Sequence, residues 1–195
     1  MRFLDRLLGR TRSANTATKV PAIDSKEIMC EHTFWEIIAQ SKKNSNGNYE
    51  KQQEELKHSL TALQPIEIQK FDNKFRTLRG DAYRWELWAA AYIMNGGCSE
   101  DSFSDFRGWL IGHGKETFFN ALSNPDSIAE LDHEMDTDEW EGLSYVALTA
   151  FEQKTGNSLP NGIQENTLIT GQTWVEDDDE LKSMLPLVWA KWGFE

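Results

Sequence analysis

The chain has 195 residues, 39% hydrophobic and 27% charged, with a formal net charge of −12. That size and mixture suit one folded domain with a proper core plus a short tail, and exclude a disordered chain. No run nears the roughly 18 to 20 apolar residues of a membrane span, and Met1–Arg12 lacks both the apolar stretch and the small-residue cleavage site of a secretory signal.

Cys30 and Cys98 are the only cysteines. Two are too few for a disulfide framework, so reduced thiols in the cytoplasm are expected. The charge is unevenly spread: residues 1–30 carry +3, residues 31–115 carry −1 and residues 116–195 carry −14. Such a field repels nucleic acid and attracts basic partners, although acidity also serves solubility.

Two regions are expected: residues 1–30, a basic amphipathic helix and linker, and residues 31–195, a helical domain. Met1–Arg10 places Phe3, Leu4, Leu7 and Leu8 on one helical face, with Arg2, Arg6 and Arg10 elsewhere. Such a helix could touch a membrane or a partner groove. Ten residues alone are marginal in water, so fraying or docking on the body is the better expectation. Thr11–Asp24 reads as a linker.

Thr33 and Glu36 have the spacing of a capping box, with Trp35, Ile38 and Ala39 giving the first helical face. A polar turn at Lys42–Asn48 leads to a second helix over Tyr49–Ala62. Pro65 then opens a stretch in which Ile68, Phe71, Phe75, Leu78, Ala82, Trp85, Trp88 and Tyr92 recur at three and four residues. This predicts one long helix, or two joined at Gly80. Gly96-Gly97 ends it. Ser99 or Ser102 caps the next helix, whose face is Phe103, Phe106 and Leu110. Short helices follow over Lys115–Leu122 and Asp126–Leu131. A longer one spans Asp138–Thr155. Ser158–Trp174 is an ordered loop with short extended pieces near Thr167–Thr170, and Leu181–Trp192 is a last helix broken or kinked at Pro186. The expected fold is all-α, a single domain of about seven or eight helices with minor or no strand.

Several runs carry a resemblance. They are Phe34-Trp35, the continuous Ala82–Tyr92 segment AYRWELWAAAY, Gly96–Phe103 (GGCSEDSF) and Asp105–Ile111 (DFRGWLI), with Asn124–Ser127, Tyr145–Ala147 and Thr155–Pro160 further on. The chain resembles, over roughly residues 33–192, a bacterial family of unknown function found mostly as small stand-alone proteins. The resemblance implies no activity and no catalytic residue. For some members it implies gene neighbours of toxin, immunity or regulator type.

The densest polar-aromatic stretch is Asp81–Ile111. Asp81, Arg84, Glu86, Asp101, Asp105 and Arg107 are its candidate pocket. Arg84 lies one turn from Asp81, and Arg84 or Arg107 could meet Asp101 or Asp105 across a helix seam. That arrangement could hold a small polar ligand or simply be a structural ion-pair network around tryptophans, and the network is the better reading. Cys98 near a helix start could be a nucleophile with His113 as base, against the plainer reading of a buried corner cysteine. Asp132–Glu139 has oxygen ligands at alternate positions. Thr137 and Leu143 stand where a calcium loop needs glycine and glutamate, however, and the acids suit a helix start better. No metal or cofactor is expected.

The leading expectation is therefore an acidic protein-interaction domain. It would bind a basic partner through Asp136, Asp138, Glu139, Glu176, Asp177, Asp178, Asp179 and Glu180, in its sharpest form as an immunity protein against a basic toxin such as a nuclease. The alternative is an enzyme or small-ligand sensor built on the Arg84 and Arg107 seam.

Overall fold

A computed structural model of the chain describes residues 27–132 and 140–194. The N-terminal helix and linker, together with Asp136, Asp138 and Glu139, lie outside the described residues. Within them the chain is all-α. The helices are α1 (Glu31–Ser45), α2 (Tyr49–Ala62), α3 (Pro65–Asp81), α4 (Trp85–Asn95), α5 (Glu100–Gly112), α6 (Lys115–Ser123), a 3-10 segment (Pro125–Glu130), α7 (Glu141–Ser144), α8 (Val146–Thr155), α9 (Asp178–Met184) and α10 (Pro186–Trp192). A single parallel bridge between Arg84 and Thr170 is the only extended pairing among the described residues. No described helix is long and apolar enough to cross a membrane.

The caps explain most boundaries. Asn48 accepts from the Lys51 N–H at 2.7 Å and opens α2. Pro65 is the first residue of α3. Ser99, not Ser102, caps α5 by accepting from the Ser102 N–H at 3.1 Å. Gly96, at φ 66°, ends α4 in the left-handed region where a Cβ is disfavoured. Asp177 caps α9, accepting from the Glu180 N–H at 3.0 Å. Asp126 performs the same service from a distance, its carboxylate accepting from the N–H groups of Leu187 and Val188, both at 2.9 Å, at the start of α10.

Four expectations are corrected. Thr33 does not form a capping box, because α1 begins two residues earlier, at Glu31, with Cys30 at its N-cap. The break in the long central pattern falls at Ala82–Arg84 rather than Gly80, since Arg84 takes an extended conformation and pairs with Thr170. The helix expected over Asp138–Thr155 is two pieces that meet at Tyr145. The last helix starts earlier, at Asp178, although the division at Pro186, which begins α10, is where the break or kink was expected. These divisions raise the count of helical segments to eleven among the described residues, nine of them of seven residues or more.

α3 is central, packed against α5 and α8, while α2 pairs with α1 and α8. α4 contacts α10, α9 and the 3-10 segment on the other side. Phe34, Phe71, Phe103, Phe106, Trp109, Phe118 and Phe151 are fully buried. Phe34 stacks on Phe71 with ring centroids 4.7 Å apart, and Phe106 on Trp109 at 5.4 Å. Such rings supply large buried areas and preferred stacking geometry. In α4 the buried residues are Leu87, Ala89, Ala90, Ala91, Ile93 and Met94, while the Trp85, Trp88 and Tyr92 face is only half-buried. The alanines admit neighbouring backbone closely, and the aromatic face is covered by the loop of residues 157–177 through Trp174.

Gly112, at the end of α5, has no room for a side chain. A Cβ there would lie 2.6 Å from Trp140 Cζ3 and 3.2 Å from Leu143 Cδ2. Gly112→Ala should destabilise by about 1–3 kcal/mol in urea unfolding, because overpacking a rigid ring cannot be relieved cheaply. Gly142→Ala should cost clearly less, since the atoms it would meet are the amide of the flexible Gln53 side chain.

Candidate functional site

The charged centre of the molecule is a triad that joins the 157–177 loop to α3 and α5. The Arg107 Nη1 donates to Glu165 Oε1 at 2.8 Å and to the Arg79 carbonyl at 3.0 Å, and its Nε to the Phe103 carbonyl at 3.3 Å. Its guanidinium lies 4.6 Å from the Tyr83 ring centroid and 5.1 Å from that of Phe103, a cation–π arrangement. From the opposite side Arg79 binds the other carboxylate oxygen through Nε at 2.6 Å and Nη2 at 2.5 Å, and reaches Ser144 Oγ at 3.0 Å. Burial pulls the Arg107 pKa below its ordinary value, and the Glu165 charge opposes that pull. A guanidinium so placed remains charged.

Of the six residues expected to form a pocket, Arg107 is thus committed to Glu165 and to aromatic rings that are a tyrosine and a phenylalanine rather than indoles. Arg84 does not pair with the Asp81 carboxylate, or with Asp101 or Asp105. Its Nε donates to the Asp81 carbonyl at 3.0 Å and its Nη1 to the Leu122 carbonyl at 3.0 Å, so it ties the ends of α3 and α6 together. Glu86 accepts from the Gln172 N–H at 2.7 Å and pins the same loop to α4. At that seam both arginines are bonded to backbone carbonyls, and Arg107 also to Glu165. Glu165, the partner sequence reasoning missed, lies 58 residues from Arg107 in a loop without periodicity. A lone acidic residue there carries no local signal of its partners.

Asp101 and Asp105 lie elsewhere, on an open cleft of about 590 Å³ between α3, α5 and α7–α8. Its walls include Arg76 and Arg79 from α3, Ser102 and Ser104 from α5, and Glu141 from α7. Arg76 gives its Nε to the buried Asp72 carboxylate at 2.6 Å. Asp101 and Glu141 make no hydrogen bond or ion pair among the described residues. A second cavity, of about 460 Å³, meets the first at Arg76 and Leu148 and is walled by Leu159–Glu165. Both volumes fall in the range of small-molecule sites.

The acidic run is partly structural. Asp177 caps α9, and Asp178, Asp179 and Glu180 occupy its first turn, where carboxylates suit the helix dipole. The Tyr92 phenol is held above its ordinary pKa, first by burial and then by Glu176. Cys98 and His113 do not form a dyad, because they flank the 13-residue α5, which at about 1.5 Å per residue separates them by roughly 20 Å. His113 instead meets Tyr49 and Trp109. The Asp132–Glu139 segment is described only at Asp132. Among the described residues, no three His, Cys, Asp or Glu side chains are grouped so as to hold a metal ion.

A family model described as Protein of unknown function (DUF4240) matches residues 29–153. The chain belongs to that family. No curated protein and no solved structure matches it. The match spans α1 to α8, so it contains both arginines of the triad and the cleft residues Arg76, Asp101, Asp105 and Glu141. It stops short of the loop that supplies Glu165 and of the acidic run at 176–180, which the resemblance over residues 33–192 had included.

Burial pushes the Asp72 carboxyl above its usual range against the opposing pull of Arg76. Its folded-state pKa therefore exceeds the unfolded value. The contribution is most favourable below the unfolded value and declines as pH rises through the raised one, because the native state retains the proton longer. The stability of the wild type relative to Asp72→Asn should fall as pH rises above about 4, measured by urea unfolding at each pH.

Proposed function

We propose that the protein is an interaction domain that binds a basic protein partner, with immunity against a basic toxin such as a nuclease as the sharpest form of that role. The observation that carries this reading is the lack of internal compensation for the acidic half. Beyond residue 115, Glu165 is the one acidic residue in an ion pair among the described residues. Asp178 and Asp179 are exposed, and the Asp101 and Glu141 carboxylates at the cleft are unpaired among the described residues. Carboxylates left without internal cations are available to lysine and arginine of another protein, and their field accelerates encounter more than it deepens affinity.

The cleft also supports a second reading, a site for a small polar ligand. Its volume suits one, and Arg76 stands opposite acidic and hydroxyl groups. The same Arg76 and Asp101 would serve as ligand contacts there, whereas Arg84 and Arg107 would not.

Two charge-neutral pairs separate the readings: Asp178→Asn with Asp179→Asn on α9, and Asp101→Asn with Glu141→Gln at the cleft. A partner captured from the native cell should be basic. Its association rate should fall steeply from about 20 mM to about 300 mM salt, as screening shortens the field. Both pairs of substitutions should slow association, each by about three- to tenfold. An association rate that ignores salt and both pairs contradicts the electrostatic reading. Loss confined to the cleft pair, for a small-molecule ligand, supports the second.

A further inference from the structure

Gln69 lies on α3 and is 3% exposed. Its side-chain oxygen and nitrogen are both buried, and neither has a hydrogen-bond partner. Gln69 lines a small, partly enclosed cavity of about 10 Å³ whose other walls are Asp72, Asn73 and the Leu159–Gly162 part of the loop. Burying an amide without partners costs its full desolvation, and native interiors rarely leave such groups unmet.

The polar neighbours are bonded elsewhere. Asp72 is engaged by Arg76 at 2.6 Å. Asn73 is engaged at both ends: its amide nitrogen donates to the Glu27 carbonyl at 2.7 Å, and its oxygen accepts from the Ile163 N–H at 2.8 Å. The backbone of Leu159–Gly162 makes no hydrogen bond to another described residue. Gly162 passes so close to Asn73 that a Cβ would strike its side-chain oxygen, so the loop cannot be pressed further onto α3.

We propose that Gln69 holds one ordered water molecule, which bridges α3 to the Leu159–Gly162 segment and so positions the wall of the outer cleft. The cavity is about the size one water requires. An occupant must both donate and accept, to match the two ends of an amide. Water does so. A cation would gain little beside a carboxylate already neutralised by Arg76, and an anion would face that carboxylate. The same Leu159–Gly162 residues wall the 460 Å³ cavity on their outer side. Gln69 therefore acts as a positioning residue for a surface it does not itself reach. The proposal stands apart from the basic-partner reading, because it concerns the unliganded chain.

The test uses the full chain in solution and needs no ligand. Nuclear Overhauser spectroscopy should show the Gln69 side-chain amide protons in contact with a long-lived water. Gln69→Met should abolish that contact and speed hydrogen exchange of the Ile163 amide about tenfold, since local opening controls exchange there. Absence of the water signal in the wild type overturns the proposal, and that result does not depend on the variant folding. A water signal with Ile163 exchange unchanged in Gln69→Met overturns the positioning role. Partner association that resists charge neutralisation would leave both results untouched.

Discussion

The Glu165 carboxylate, held between Arg79 and Arg107, is the interaction on which the remaining arrangement depends. The Glu165 side chain is 15% exposed and the Arg107 guanidinium is buried, so both lose hydration that only close, well-bonded partners offset. Here the carboxylate receives both guanidinium groups, one on each oxygen, and Arg107 also donates to two carbonyls. Removing one member would strand charge inside the protein. The triad therefore specifies one placement of the 157–177 loop over α3 and α5. Further along, Thr170 pairs with the Ala82–Arg84 break, Gln172 bonds Glu86, and the Trp174 indole donates to the Trp85 carbonyl at 2.9 Å. A 21-residue segment without helix is fixed by one ion triad and a few directed bonds.

That placement creates the molecule's accessible chemistry. The loop walls one cavity and, with Arg76 and Leu148, abuts the cleft that carries Asp101 and Glu141. The arginines that first suggest a pocket, Arg84 and Arg107, are committed to backbone carbonyls and Glu165, while Asp101 and Glu141 line the cleft. Arg79 and Arg107 are paired inside with Glu165, whereas Glu176, Asp177, Asp178 and Asp179 are exposed.

The helices were legible in the sequence because their apolar spacing and their caps are local properties. Asn48, Pro65, Ser99 and Gly96 all act within a few residues of themselves. Expectations failed where a distant segment overrode a local pattern. The three- and four-residue recurrence runs on through Trp85, yet the chain breaks at Ala82–Arg84 because Thr170 offers backbone pairing there. Thr33 has a sound capping signature, but α1 already begins at Glu31. The candidate site was half legible. Asp101 and Asp105 do face a cleft, whereas Arg84 and Arg107 are structural. No local pattern could have named Glu165, Arg76 or Gln69, because their roles come from elements brought together only by the fold.

The central claim is that the Arg107–Glu165 contact fixes the loop rather than merely decorating it. A double-mutant cycle with Arg107→Met, Glu165→Gln and the double variant, followed by urea unfolding, tests it most directly. Strong coupling, about 2 kcal/mol or more, with the double variant less destabilised than the sum of the singles, is the predicted result. Single effects that add to within about 0.5 kcal/mol would contradict the account.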